Sequence, residues 1–484
     1  MAIPLTLIPC IPEGSSRYQP PSKRVTPAER LISPAMFSSS LEPLPMYEPI
    51  EWTRTVHPEG AVYFYMNQPK SDDGRGFCIV TDDDAQEPSS VSRLAPWVAT
   101  ITQLTRKHKS FPSHHPHLEL YLRVDEEDFC SYYFVDRKAK TIFFFEEHSS
   151  LELGLESTVS DDHLRLSLER QFWIHTEFFP CHFGGLAKGE LDELMGQFRH
   201  GSIDQITSLS STFPYEADKC LEIIPVLESI RQHHLRAENI NRGYDVAIIA
   251  RFASVLMNTR IQTHYGERVC RLDRHVSIIA SEEDEIQWTK PIISTLTLGF
   301  SDLHLKKLDD LFVDSYVYNQ QWARRIQECV REWTYTGVAA CVLLALHALF
   351  ITLDVQSTLA KTSAAFSAIS ILSAALLVLR HESLESIYEG NGYNHLSSIR
   401  SDVIGFQGVA LGFAIPKATL VISLFTFLSQ GLYLLLKDVD LVYRLPWITV
   451  VGMFLWIFNL LTSPTQRVFA FRWFNRQKAE TSMA

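Results

Sequence analysis

The chain contains the run WTYTGVAACVLLALHALFITL, residues Trp333–Leu353, in which no Asp, Glu, Lys or Arg occurs. Three more such runs follow it, at Thr362–Leu379, Ala418–Leu436 and Leu445–Gln466. A helix needs roughly 20 apolar residues to cross the hydrocarbon layer of a bilayer, and each run is about that long. The sequence therefore predicts an integral membrane protein whose last third is a bundle of transmembrane helices.

The third run raises a question about the number of spans. The apolar segment begins at Val403, but Pro416 and Lys417 interrupt it before Ala418. Proline removes a backbone donor and costs about 3 kcal/mol in a helix interior. We therefore expect either one long kinked helix or a re-entrant segment followed by the true span. The predicted spans are about 333–353, 362–379, 411–436 and 445–464, with three or five spans as alternatives.

The basic residues that flank these runs predict the orientation of the chain. Loops on the cytoplasmic side of a membrane carry an excess of Lys and Arg. Nine basic residues flank one side of the predicted bundle and three flank the other. The nine are Arg324, Arg325, Arg331, Arg380, Arg400, Arg467, Arg472, Arg476 and Lys478, and the three are Lys361, Lys437 and Arg444. Both termini are thus predicted to be cytoplasmic, with 467–484 as a basic tail.

The part of the chain before the first run is acidic. Residues from Trp333 onward carry 10 Lys/Arg and 8 Asp/Glu of the 44 and 56 in the whole chain, which leaves 34 and 48, a formal charge of −14, for residues 1–332. This charge disfavours nucleic-acid binding, which needs clustered Lys and Arg. The eight cysteines show no CxxC pair, so we expect reduced thiols in a cytosolic region.

Residues 1–46 are rich in Pro and Ser and are predicted to be a disordered leader. The next segment, 47–150, has the pattern of β-hairpins. Pro58-Glu59-Gly60 is a turn between two stretches of β-branched and aromatic residues, Glu51–His57 and Ala61–Met66. A second strand, turn and strand follow at Ser131–Asp136, Arg137–Lys140 and Thr141–Phe145. These two echoes predict a tandem β region.

The first hairpin resembles a WW domain. Trp52 matches the first signature Trp, Pro58–Gly60 matches the turn, and Tyr63 and Phe64 match the paired central aromatics. By this resemblance Tyr63 lines a groove for proline, while Trp52 and Phe64 are structural; Gly74 falls where the second Trp is expected. In the second hairpin, Tyr133 lies on the matching central strand and Phe144 takes the place of the second Trp.

From about residue 151 to 332 the pattern becomes helical, beginning with the capping sequence Ser160-Asp161-Asp162. The expected fold class is therefore mixed: a small antiparallel β region, an α-helical cytosolic domain at 151–332, and transmembrane helices at 333–466. Short strings along the chain also resemble the WW-domain-containing multi-pass membrane proteins of mushroom-forming fungi over roughly residues 47–436. The strings are Val56–Gly60 with Tyr63-Phe64, Tyr132–Asp136, Glu177–Pro180, Ser211–Pro214, Thr263–Gly266, Asp309–Asp314 and Gln321-Trp322.

No motif for catalysis or for cofactor binding occurs in the sequence. GxSxG, GxxxxGK[ST], HExxH and GxGxxG are all absent, and Cys181 and His182 are adjacent, which is not the spacing of a catalytic dyad. The predictions are therefore no enzyme activity, no cofactor and no metal. We expect a membrane-anchored interaction or scaffold protein that binds a protein partner through the WW-like region. The alternative is a small multi-pass transporter or channel with a cytosolic regulatory domain, using His347 or Lys417.

Overall fold

The computed structural model describes residues 6–14, 52–67, 77–107, 111, 117–126, 129–186, 188–236, 242–279, 286, 288–314, 316–352, 358–382, 391–436 and 452–453. The chain divides into two compact units. The first comprises Met1–Ser281 with Val313–Gln320, and the second comprises Glu282–Phe312 with Gln321–Ala484. The predicted leader lies mostly outside the described residues, and so does nearly all of the fourth apolar run.

The first unit is built on a mixed sheet. Its strands are β1 (Thr6–Pro9), β2 (Thr53–Val56), β3 (Val62–Asn67), β4 (Cys78–Thr81), β5 (Leu118–Glu126), β6 (Phe129–Asp136) and β7 (Thr141–Phe143). They lie in the order β1-β6-β5-β4-β3-β2, and β7 also pairs with β6. The pairs β1–β6 and β4–β5 are parallel, and the other pairs are antiparallel.

One face of the sheet is covered by the helix α1 (Pro88–Lys107), which connects the parallel strands β4 and β5. Such a connection is expected because parallel neighbours cannot be joined by a tight turn. Pro88 occupies the first helical position, where its missing N–H costs nothing. Leu94, Trp97 and Ile101 follow at helical spacing and are buried in the core of this face.

The other face is covered by helices, of which α2 (Asp161–Phe178), α3 (Lys188–Thr207), α4 (Ala217–Arg236) and α5 (Gly243–Gln262) share one core with the sheet. The predicted cap is confirmed, since the Ser160 hydroxyl accepts a hydrogen bond from the His163 N–H at the start of α2. The β segment and the first helices therefore pack as one body, whereas the sequence suggested two domains, 47–150 and 151–332.

The second unit contains helices α6 (Thr289–Leu296), α7 (Phe300–Asp309), α9 (Thr358–His381), α10 (Asn391–Ile399) and α11 (Gln407–Leu436), with most of α8 (Asn319–Thr352). Three of them are long and apolar enough to cross a membrane, over Gln321–Ala348, Thr358–His381 and Gln407–Leu434. Pro416 lies inside α11, which runs through it without a break. The region is therefore one continuous helix from Gln407 to Leu436, as in the first of the two alternatives.

Candidate functional site

A buried group of polar side chains lies on the face of the sheet that α2 covers. Strand β5 alternates between the two faces: Leu118, Leu120 and Leu122 belong to the core under α1, while Tyr121 belongs to the core under α2. Glu119 has the same parity as Tyr121, and it is fully buried. An ionisable group in such a position needs compensating partners.

Three residues supply those partners to the Glu119 carboxylate. Arg137, in the turn after β6, donates from Nε and Nη2 to Oε2 at 2.9 and 2.6 Å. His175, on α2, lies with Nε2 3.1 Å from Oε1. His182, in the segment after α2, lies with Nε2 2.6 Å from the same oxygen. Both carboxylate oxygens are therefore hydrogen-bonded, and two imidazoles converge on Oε1.

Two tyrosines on the sheet orient these imidazoles. The Tyr63 hydroxyl, on β3, accepts the Cys181 N–H at 2.9 Å and lies 3.2 Å from His182 Nδ1. The Tyr133 hydroxyl, on β6, lies 3.0 Å from His175 Nδ1. When each hydroxyl donates to Nδ1, the ring proton is on Nε2, where it is donated to Glu119. Each tyrosine thereby favours the histidine tautomer that can donate a hydrogen bond to the Glu119 carboxylate.

Burial and charge set the protonation of this cluster. Burial by itself raises the pKa of the Glu119 carboxyl, but the positive charge of Arg137 and the contacts with His182 and His175 outweigh it and hold that pKa well below its usual range. Burial lowers the pKa of His175 despite the nearby carboxylate, so its imidazole is neutral. The cluster thus contains an ionised Glu119 that is paired directly with a cationic Arg137 and hydrogen-bonded to a neutral His175.

A cysteine completes the group. Cys78 on β4 is the register partner of Glu119 on the parallel strand β5, which places the two side chains next to each other on one face. The Cys78 Sγ, a carboxylate oxygen of Glu119 and a ring nitrogen of His182 all lie within 4.8 Å of one another. Burial raises the pKa of the Cys78 thiol, and the carboxylate of Glu119 adds to that effect. The charge of Arg137 lowers the pKa again but does not outweigh these two effects, so this cysteine is a neutral thiol.

The residues selected from the WW resemblance occupy two different cores. Trp52 and Phe64 pack in the core under α1, in keeping with the structural role expected for them. Tyr63 is in the core under α2 and has an exposed fraction of 0%, and Tyr133 is similarly buried at 1%. Phe144 is partly buried against the same core. The expected proline-binding surface at Tyr63 and Tyr133 is therefore covered, because helices pack over the face on which these rings lie.

Comparison of the chain with protein-family models, with curated proteins and with solved structures found no match.

Sequence reasoning missed Glu119, Arg137, His175 and Cys78 as site residues, and it considered Cys181-His182 only to reject the pair as a catalytic dyad. One signal was present: Leu118–Val124 alternates leucine with polar or aromatic residues, the pattern of a strand. The pattern alone does not say that the second face is also covered. Only the docking of α2 turns Glu119 from a solvent-facing residue into the centre of a buried cluster.

A second polar group lies where the apolar runs of the second unit begin. Lys417 Nζ on α11 is 2.7 Å from Glu332 Oε1 on α8. The Trp333 indole N–H donates to the Phe413 carbonyl at 3.2 Å, and its ring lies 5.2 Å from that of His381, the last residue of α9. These contacts bring the start of the apolar part of α8, the start of the apolar part of α11 and the C-terminal end of α9 to one level. Beyond this level, α8 and α11 continue to their C-terminal ends without an Asp, Glu, Lys or Arg.

Proposed function

We propose that the protein is a membrane-anchored interaction or scaffold protein, in which three or more helices hold a folded cytosolic unit at a bilayer. The observation that carries the proposal is how α9 and α11 pack together. Ser363 and Ser367 on α9 are fully buried and hydrogen-bond to Ser423 on α11, with Ser367 Oγ 2.7 Å from Ser423 Oγ. The Ser370 hydroxyl donates to the Pro416 carbonyl at 2.7 Å.

This contact favours an anchor over a conduit. Small residues let helices approach closely within a membrane, and hydroxyl groups that bond across the contact contribute about 0.6–2 kcal/mol each. A transport pathway needs polar groups that face water or a substrate. Here the serine hydroxyls are hydrogen-bonded across the contact between the two helices, so they join α9 and α11 instead of lining a transport pathway.

The thickness of the apolar layer agrees with a bilayer. From Trp333 to the end of α8 at Thr352 there are 20 residues, and from Ala418 to the end of α11 at Leu436 there are 19. At 1.5 Å per residue these lengths are about 30 Å, the thickness of the hydrocarbon core. We place the Glu332–Lys417 pair and Trp333 at the cytoplasmic boundary, which follows from the excess of basic residues on that side.

The same ion pair is an observation that favours the alternative, a transporter. Ionisable residues inside a membrane commonly mark a transport pathway. Both members of this pair, however, directly precede an apolar run, and the Lys417 side chain is 41% exposed. A lysine at a helix position near the interface extends its amine towards water. The pair therefore fits a boundary role better than a role in the middle of the bilayer.

The interaction role needs an exposed surface, and we assign it to apolar side chains of the first unit. Leu209, after α3, is 95% exposed, and Leu272 is 83% exposed. The two segments lie side by side, since the Arg274 N–H donates to the Ser210 carbonyl at 3.1 Å. We take these two exposed leucines, on neighbouring segments, as the candidate protein-binding surface. The expected occupant is a protein partner that buries these leucines.

The WW resemblance concerns only the evolutionary origin of the first strands of the sheet. Strands β2, β3 and β4 are consecutive and antiparallel, as in a three-stranded WW unit. We infer a WW-derived unit that has become the edge of a larger sheet. Its proline-binding role is not part of the proposal, because Tyr63 is covered.

The anchor is tested by alkaline extraction of membranes that contain the full chain, followed by comparison of two variants. Ser423→Leu inserts a bulky side chain into the contact between α9 and α11. Ser429→Leu changes a serine whose hydroxyl bonds back to Phe425 of its own helix. The wild type and both variants should stay in the membrane pellet, and only Ser423→Leu should lose thermal stability in detergent. Release of the wild type by alkali would reject the anchor.

The interaction surface is tested by chemical cross-linking in intact membranes. Leu209→Lys and Leu272→Lys should reduce cross-linked partner at least tenfold, whereas Leu151→Lys, at a residue that is 66% exposed, should not. Size-exclusion chromatography of the purified chain distinguishes a separate partner from a second copy of the protein. An unchanged cross-linking pattern in both leucine variants would reject this surface while leaving the anchor intact.

A further inference from the structure

The cluster around Glu119 contains more polar side chains than are required to balance the charge of one buried carboxylate. Arg137 neutralises the charge and occupies Oε2. That leaves Oε1, a ring nitrogen of His182 and the Cys78 thiol close to one another, with His175 Nε2 on the same Oε1. Sulfur, imidazole nitrogen and carboxylate oxygen are the donor atoms that zinc takes in proteins.

We propose that Cys78, Glu119 and His182 bind a divalent metal ion of the zinc type, with His175 as the fourth ligand. Tetrahedral coordination at ordinary zinc distances separates neighbouring donor atoms by about 3.3–3.6 Å. The three donors lie within 4.8 Å of one another, and the two histidine contacts to Oε1 are 2.6 and 3.1 Å. Side-chain adjustments on the order of 1 Å therefore bring Cys78, Glu119 and His182 to these separations, whereas His175, which already contacts Oε1, has to move further to coordinate the same ion.

The surroundings provide the contacts that a metal site needs. A histidine that binds a metal through Nε2 must carry its proton on Nδ1 and donate it to a neighbour. Tyr63 and Tyr133 present hydroxyl oxygens 3.2 and 3.0 Å from those Nδ1 atoms, and a hydroxyl can accept as well as donate. Arg137 holds Oε2, which fixes the carboxylate with Oε1 directed at the other donors.

The position of the ligands indicates a structural role for the ion. Cys78 and Glu119 belong to adjacent strands β4 and β5, His175 belongs to α2, and His182 belongs to the segment that follows α2. A four-ligand site that is closed to solvent cross-links the elements that supply the ligands. The ion would fasten the helical layer to the sheet. Binding releases the Cys78 proton, so affinity should rise with pH.

The test uses the full chain in detergent, treated with a chelator and then titrated with Zn²⁺ or Co²⁺ alone. The wild type should bind one equivalent, and Co²⁺ should give a thiolate-to-cobalt charge-transfer band. Cys78→Ser should abolish the band, and His182→Gln should weaken binding at least tenfold. Cys10→Ser, which changes another partly buried cysteine of the first unit, should bind the metal like the wild type.

A measurement on the wild type guards against variants that fail to fold. Zn²⁺ should slow the alkylation of Cys78 and leave that of Cys10 unchanged, read residue by residue by mass spectrometry. The proposal is overturned if the wild type takes up no stoichiometric metal, or if Zn²⁺ protects neither or both cysteines equally. Retention of the cobalt band in a folded Cys78→Ser variant would also overturn it.

Discussion

Replacing Glu119 by Gln tests the buried cluster most directly. The carboxylate is hydrogen-bonded on both oxygens, by Arg137 on one and by two imidazoles on the other. A glutamine NH₂ group turned towards Arg137 faces an obligatory donor, and one turned towards the imidazoles requires the rings to change tautomer before they can accept from it. Arg137 also loses its counter-charge while only 22% of its side chain is exposed. The substitution therefore removes both a charge and an acceptor from the protein interior.

The expected cost can be placed within a range. Breaking a buried ion pair by removing one partner costs about 3–5 kcal/mol. Because Arg137 keeps part of its side chain in water, we expect the lower end, about 3 kcal/mol of unfolding free energy. That corresponds to an increase of roughly 150-fold in the open population, since every 1.4 kcal/mol is about tenfold.

Thiol labelling of the first unit is a suitable assay. Cys130 and Cys220 are both fully buried there, so they react only when the unit opens. The full chain in detergent is labelled over a series of urea concentrations, with a chelator present so that the result does not depend on a bound metal. Glu222→Gln is the matched control, because its ion pair with Lys219 is exposed and should change stability by less than about 0.5 kcal/mol.

Equal urea midpoints of thiol labelling in Glu119→Gln and in the Glu222→Gln control would show that the Glu119 carboxylate does not stabilise the first unit. A double-mutant cycle with Arg137→Gln separates the pair from the rest of the cluster. If Glu119 and Arg137 stabilise each other, the double variant should be more stable than the sum of the two single effects predicts, by at least 1 kcal/mol in order of magnitude. Additive effects would mean that the ion pair is not the source of the loss.

Two further predictions concern a pH effect and a tightly packed glycine. Burial, followed by the charge of Arg325, lowers the pKa of His304 to about 4. The folded state therefore keeps this ring neutral, while the unfolded state charges it below about pH 6.5. Amide exchange of α7 should report a loss of stability of about 2 kcal/mol between pH 6.5 and 5, and His304→Gln should flatten this pH dependence. A Cβ at Gly201 would lie 2.5 Å from the Phe213 ring, whereas one at Gly196 of the same helix meets nothing within 4 Å. Gly201→Ala should therefore lower the free energy of unfolding, measured in urea, by about 1–3 kcal/mol, while Gly196→Ala should raise it by up to about 1 kcal/mol. Equal effects of the two substitutions would contradict the packing of α3.

The elements that the sequence could predict are those whose signal is local. The turn at Pro58–Gly60 and the turn at Arg137–Lys140 each join two strands that pair with each other, and both hairpins are present in the structure. The three apolar helices are also present, because twenty consecutive apolar residues have few other stable arrangements. In each case the residues that determine the element lie within it.

The parallel pairing of β4 with β5 was not predictable in the same way. These strands are separated by α1, and nothing in the short segment Cys78–Thr81 specifies its partner. Helix α1 itself has an apolar stripe at Leu94, Trp97 and Ile101, which a closer reading of periodicity would have found. With that helix between two short strands, a parallel βαβ unit is the expected arrangement.

The candidate site also depends on contacts between residues that are distant in the sequence, so a search for sequence motifs could not find its members. Cys78, Glu119 and His182 are brought together by strand register and by the docking of α2, so their spacing along the chain has no characteristic pattern. A buried ion pair by itself is weak evidence for stability, because well-packed apolar residues of similar volume often do as well or better. Arg137 alone already balances Glu119. The convergence of two imidazoles and a thiol on the same carboxylate therefore needs a reason besides charge balance, and a shared metal ion provides one that the ligand variants can reject.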